Sequence, residues 1–190
     1  MTKRRNFIKK STLGAAGVVI GGMGFRSGSY ASVVGANDEI RIALVGCGGR
    51  GTGSHIPSFG RLHGVKIVAV CDPDRERMSA AAKKVATSFN YKPVEVVDVR
   101  KLMERKDFDV VSVATMQYWH SLPTIWACET GRHVFVEKPL AHFIWEGRQM
   151  VNAARKYDRI VQVGTQNRSI RAYVELTQWL KEGHLGKILY

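Results

Sequence analysis

The chain has 190 residues with 29 basic and 16 acidic side chains, a formal net charge of +13. Six of the positives, Lys3, Arg4, Arg5, Lys9, Lys10 and Arg26, fall in the first 35 residues, which hold no acid; 29 less these 6 leaves 23 against 16, or +7. That remainder is interleaved with acids, as in Asp74-Arg75-Glu76-Arg77, rather than clustered with aromatics, which argues against a nucleic-acid partner. The cysteines Cys47, Cys71 and Cys128 form neither a closed disulfide framework nor a set with metal-ligand spacing. They are read as small buried fillers, and no metal site is expected.

In chain order, residues 1–35 form a basic segment, a weakly apolar Gly/Ala-rich stretch over 13–24, and small residues including Ser29 and Ala31. Arg4-Arg5-Asn6-Phe7-Ile8-Lys9 resembles a twin-arginine export signal, which implies the export machinery as a partner and a periplasmic or otherwise exported product. The alternative is a basic tail without structure. The uncharged stretch between Lys10 and Arg26 is too short and too rich in glycine for a stable membrane span.

From 38 to 166 the chain alternates strand and helix. Apolar runs at 40–45, 65–71, 110–114, 134–136 and 160–163 predict strands, with a short weak one near 94–97; near-continuous runs of this kind belong to a parallel sheet covered on both faces. Pro73 is expected to open a helix with the stripe Met78, Ala82, Val85 and Phe89. A second helix runs over 121–130 and stops at Gly131; a third places Ile144, Gly147, Val151 and Ala154 on one face. Right-handed crossovers give an α/β, doubly wound parallel sheet in the order 3-2-1-4-5-6. After it come a helix over about 169–182, a Gly183-His184-Leu185-Gly186 turn and a strand beginning at 187–190. Residues 167–190 are therefore expected to connect to a second, α+β domain of a longer protein.

Residues 46–51 read Gly46-Cys47-Gly48-Gly49-Arg50-Gly51, a G-x-G-x-x-G between the first strand and a helix, and Asp72 ends the second strand. The chemistry of a dinucleotide site needs this set: glycine for the tight turn, for approach of a pyrophosphate and for helix-strand packing, and an acid about 20 residues on for the ribose diol. Asp72 favours NAD over NADP, whereas Arg75 is a residue able to meet a 2'-phosphate if Asp72 turns away. Ligands bind at the carboxyl ends of strands in open α/β sheets. Strand direction thus converges the glycine loop, Asp72, Thr115 to His120, Glu137-Lys138-Pro139 and Gly164 to Arg168 on one crevice.

Glu137-Lys138-Pro139-Leu140, taken with the glycine loop, Trp119-His120, Gly164-Thr165-Gln166-Asn167-Arg168 and Leu185-Gly186-Lys187, resembles the N-terminal half of the Gfo/Idh/MocA oxidoreductases, the family of glucose-fructose oxidoreductase and inositol dehydrogenases. The resemblance implies an NAD-dependent oxidoreductase acting on a sugar, cyclitol or related polyol by hydride transfer at a secondary alcohol carbon. It places Gly46, Cys47, Gly48, Gly49, Arg50 and Gly51 on the pyrophosphate, and Lys138 beside the nicotinamide ribose and the reacting carbon. Thr115, Trp119, Glu137, Pro139 and Gln166 complete the cofactor-binding set.

Met116 stands where the family commonly has proline after the threonine, which removes a rigid turn. His120 is a candidate catalytic residue, either binding substrate hydroxyls or capping the helix that begins at Ser121; Trp119 is either packing or a sugar platform. The family's remaining catalytic groups, and the surface for a homo-oligomer, are expected in the second domain, so residues 1–190 alone are expected to be inactive. An exported enzyme lacks a nicotinamide pool, which opens a second reading: an NAD-dependent glycosidase running a redox-neutral cycle of oxidation and elimination. A dinucleotide-binding scaffold without catalysis is the third.

Overall fold

The apolar runs pair side by side because each is too hydrophobic to leave either face in water. In the computed structural model, which describes residues 39–186, six strands form one parallel sheet: β1 (Ile40–Val45), β2 (Val65–Cys71), β3 (Val94–Val96), β4 (Val110–Val113), β5 (His133–Glu137) and β6 (Val161–Gly164), in the order β3-β2-β1-β4-β5-β6. This is the doubly wound topology expected. The export segment expected at 1–35 and the strand expected at 187–190 lie outside the described residues.

Alternate side chains of β1 serve two cores. Leu44 packs with Ile67 and Val70 under α1, a π-helical turn (Gly51–His55) that runs into Ile56–Gly60, and under α2 (Arg75–Phe89) through Met78, Ala82 and Val85. Ala43 and Val45 pack on the other face with Val111, Val113, Val134 and Val136. That face is covered by α3 (Val99–Glu104), α4 (Ser121–Glu129) and α5 (Ile144–Lys156) through Leu102, Cys128, Met150 and Ala153. A 3₁₀ turn, Gln166–Ser169, then leads to α6 (Arg171–Lys181), whose residues are all exposed.

Local chemistry moves several boundaries. The carboxylate of Asp74 accepts from the amides of Glu76 (3.0 Å) and Arg77 (3.2 Å), so Asp74 caps α2 and Pro73 lies outside it. In α5 the buried face is centred on Met150 and Ala153, whereas Ile144 is 95% exposed; burial follows the packed partner, and the first turn has none. Between β1 and β2 the register steps from Ile42–Ile67 to Ala43–Ala69, leaving Val68 unpaired in a bulge that turns Val68 and Ala69 toward one core. The three cysteines are buried, and burial pushes the Cys47 and Cys71 thiols up to about 12 and Cys128 to about 11.

Two glycines make the turn after β1. Gly46 has φ +93°, and a Cβ there would lie 2.6 Å from the backbone of Ala114; a Cβ on Gly51 would lie 2.0 Å from the carbonyl oxygen of Gly46. No larger residue fits either position without moving β4 or the first turn of α1. Gly46→Ala is expected to lower the free energy of unfolding by about 1–3 kcal/mol from backbone conformation alone, with the overlap on β4 adding to it. Urea denaturation monitored by circular dichroism checks this, and an unchanged midpoint would refute the tight approach of the glycine turn to β4.

Candidate functional site

The crossover from β1 runs to one side of the sheet and that from β4 to the other, and the two diverging turns leave a crevice between them. It is a cleft of about 1080 Å³. Its lining comes from Gly46, Gly48, Gly49 and Arg50 after β1, Asp72 to Asp74 and Arg77 after β2, Val97 to Arg100 after β3, Thr115, Met116, Tyr118 and Trp119 after β4, and Pro123 and Trp126 of α4.

The glycines of the loop divide into two kinds. Gly46 and Gly51 lack side chains because protein backbone occupies the space, whereas a Cβ on Gly48 or Gly49 would meet nothing within 4 Å. That open surface, followed at once by the start of a helix, suits an anion: the first amides of a helix have no intrahelical acceptor, and the helix dipole favours negative charge there. The loop's shape and the residues around it fit a dinucleotide.

Asp72 ties two turns together. Its Oδ2 accepts from the Cys47 amide (2.7 Å) and its Oδ1 from the Asp74 amide (2.9 Å), bracing the glycine loop against the β2–α2 turn. Each oxygen accepts from one protein donor and keeps a second lone-pair site. Arg77, rather than Arg75, lines the cleft, held by Asp74 at 3.1 Å. Beside it, Asp98 caps α3 and is gripped by the Arg100 guanidinium, which holds its carboxyl down at about 2.

Behind the cleft floor lies a polar cluster in which Glu137 is central. Its Oε1 accepts from Arg50 Nε (2.8 Å), His55 Nε2 (2.8 Å) and Gln166 Nε2 (2.6 Å), and its Oε2 from the Lys138 amide (3.3 Å). His55 is 4% exposed. A carboxylate only accepts, so Nε2 carries the ring hydrogen and Nδ1 accepts from the Ser112 hydroxyl at 2.7 Å. Burial lowers the His55 pKa and keeps the ring neutral. Burial alone would raise Glu137, but the hydrogen bonds from His55 and Arg50 outweigh it and hold the carboxyl below its ordinary value. Ser112 has no solvent exposure, so Ser112-His55-Glu137 cannot present a nucleophile to a substrate.

The structure thus brings Gly46, Gly48, Gly49, Arg50, Asp72, Thr115 and Trp119 to the cleft. It places Cys47, Gly51, Glu137 and Gln166 behind or beneath it as supports. His120 corrects the expectation. It occupies the N-cap position of α4 without capping it, is 2% exposed, and has Nδ1 2.7 Å from the Pro139 carbonyl and Nε2 3.1 Å from the Thr115 carbonyl. Both partners are carbonyl acceptors, and a neutral ring with its single N–H can donate to only one of them; the ring is enclosed between the loops after β4 and β5 rather than open to the cleft. Met116 has φ −67° and ψ 147°, the conformation a proline would impose, so the turn survives without one. Lys138 leaves β5 exposed at the same end of the sheet.

Residues 40–165 match the family model described as "Oxidoreductase family, NAD-binding Rossmann fold", GFO_IDH_MocA. A "Glycosyl hydrolase family 109 protein" of Shewanella pealeana is 29% identical over 203 residues, covering 98% of this chain and 44% of its own. An "Alpha-N-acetylgalactosaminidase" of Shewanella oneidensis is 26% identical over 204 residues at the same two coverages. The WlbA dehydrogenase from Bordetella pertussis, solved in complex with NADH and UDP-GlcNAcA, superposes with a TM-score of 0.69 at 26% identity, over 79% of this chain and 44% of its own. The chain therefore spans less than half the length of these relatives. With the glycine turn, the cleft at the switch point and a family match over most of its length, the chain belongs to the Gfo/Idh/MocA oxidoreductases, whose N-terminal domain is an NAD-binding Rossmann fold.

Proposed function

We propose that the whole protein holds NAD in this cleft and acts on a sugar, cyclitol or related polyol at a secondary alcohol carbon. The observation that carries the reading is the open surface of Gly48 and Gly49 at the start of α1, with Asp72 on one side and the exposed Lys138 at the end of β5 on the other. When bound, NAD supplies the acceptor for the hydride leaving that carbon. Asp72 holds the ribose diol, Arg50 and the loop amides meet the pyrophosphate, and Lys138 orients the reacting hydroxyl or takes its proton.

The names of the curated relatives favour a second reading, cleavage of a glycoside such as an α-N-acetylgalactosaminide by oxidation, elimination of the aglycone, addition of water and return of the hydride. Both readings remove the same hydroxyl proton; they differ in whether NADH accumulates. A redox-neutral cycle also suits export through the leader at 1–35, which lets the cofactor be loaded before translocation. Polyols that reduce NAD in stoichiometric amounts would support the dehydrogenase, and release of p-nitrophenol from its α-N-acetylgalactosaminide without net NADH would support the glycosidase. Neither activity in the full-length protein would leave a binding scaffold.

In that protein, Asp72→Asn is expected to weaken NAD binding tenfold or more, since a hydrogen bond to a charged group contributes about 1.5–3 kcal/mol, and to narrow discrimination against NADP. Calorimetric titration with both nucleotides checks it; unchanged NAD affinity would remove Asp72 from the ribose site. Lys138→Ala is expected to keep bound NAD yet lose turnover by a factor of about 10² to 10⁴. Near-normal turnover would reduce Lys138 to a loop residue. Replacing Arg4 and Arg5 with lysine is expected to abolish export without changing the fold of residues 39–186; fractionation of cells that still secrete the variant would point to another route.

A further inference from the structure

Arg50 is anchored at one end and open at the other. Its Nε donates to Glu137 Oε1 at 2.8 Å and one terminal nitrogen to Ser54 Oγ at 3.2 Å. A guanidinium has five N–H donors, so three remain, on a side chain that is 45% exposed and lines the cleft beside Gly48 and Gly49. A long, rotamer-rich side chain is a poor anion ligand unless something fixes it, because ordering it on binding costs affinity. Glu137 fixes it, and Glu137 is itself fixed.

The Glu137 side chain is 6% exposed. An ion so enclosed persists only while its donors stay in place, and His55 is the donor with the most rigid setting. It sits at the end of the π-helical turn, with Phe59 and Phe135 edge-on at 5.5 Å each and the Ser112 hydroxyl on its far nitrogen at 2.7 Å. The wider π turn carries the backbone of α1 past β4 and β5 with His55 facing inward. Gly164 keeps the remaining approach open, since a Cβ there would lie 2.9 Å from Gln166 Nε2 and 3.3 Å from Glu137 Oε1.

We propose that His55 and Glu137 are positioning residues for cofactor binding: neither touches the nucleotide, and together they hold the Arg50 guanidinium against its pyrophosphate. The inference rests on the reading of the cleft as an NAD site. It assigns to His55 a part in affinity that its burial conceals, and it moves Glu137 from cofactor ligand to support. A purely structural role for the cluster makes a different prediction, namely loss of stability with no loss of affinity in the folded protein.

The test is a double-mutant cycle in the full-length protein, with NAD titrated and binding followed by the fluorescence of Trp119 and Trp126, which line the cleft. Arg50→Met and His55→Phe are each expected to raise Kd about tenfold, the effect of losing a charge-assisted hydrogen bond. In the Arg50→Met background His55→Phe should change Kd by less than about twofold, because the group it positions is gone. His55→Gln, which restores an N–H donor toward Glu137, should recover most of the affinity. Glu137→Gln repeats the cycle should His55→Phe fail to fold. The inference is overturned if His55→Phe or Glu137→Gln, shown folded by circular dichroism, binds NAD as the wild type does, or if its effect multiplies with that of Arg50→Met. Wild-type protein that does not bind NAD would overturn the cleft assignment itself, and this inference with it.

Discussion

The carboxylate of Glu137 stands at the buried end of β5, where an ion stripped of water costs several kcal/mol unless donors replace that water. The donors come from three places: Arg50 and His55 at the two ends of the π-helical turn of α1, Gln166 in the turn after β6, and the Lys138 amide next in the chain. One acceptor therefore sets the relative positions of the glycine loop, the end of β6 and the segment that carries Lys138. His55 extends the set to β4 through Ser112. Because the ring is neutral, it delivers a hydrogen bond without adding a second buried charge.

Asp72 does the corresponding work from the other side. It binds the Cys47 amide as Glu137 binds Arg50, so the glycine loop is held between a carboxylate just after β2 and one at the end of β5, the strands that flank β1 and β4. Their accessibility differs in the way their tasks require. Asp72 lines the cleft with a single protein donor on each oxygen, while Glu137 has its Oε1 occupied by three protein donors. His120 completes the frame by filling the space between the Thr115 and Pro139 carbonyls, one of which accepts its ring N–H.

The sheet was legible because burial on both faces leaves unbroken apolar runs, and the strand order followed from crossover handedness and the position of the glycine loop. Gly46 and Gly51 were legible because each answers a steric demand that no other residue meets, and Gly48 because a dinucleotide site needs open backbone at that point of the loop. What stayed hidden was long-range pairing of ordinary residues. Nothing local marks His55 as the partner of Glu137 across 82 positions, and a histidine after the loop reads as any helical residue. A signal was present in Ser112, a hydroxyl in the middle of an apolar strand that needs a partner when buried. Val68 was invisible as a bulge because its neighbours are equally apolar. His120 misled because a histidine at a helix start is ambiguous until both its nitrogens are placed. Arg77 displaced Arg75 because the cap at Asp74 sets the phase of α2, and only Arg77 then lies along the cleft.

The same bracing bears on the choice between the two nicotinamide cofactors. Arg77 is the cation nearest in sequence to Asp72 that lines the cleft, and it is already paired with Asp74 at 3.1 Å. On the proposed reading a 2'-phosphate requires Asp72 to rotate away, and any rotation that breaks its bond to the Cys47 amide removes a tie on the glycine turn. A buried amide left without an acceptor costs about 1–3 kcal/mol, in addition to the repulsion between a carboxylate and a phosphate. On the proposed NAD reading, discrimination against a 2'-phosphate rests on the architecture of the loop as much as on the charge of one side chain.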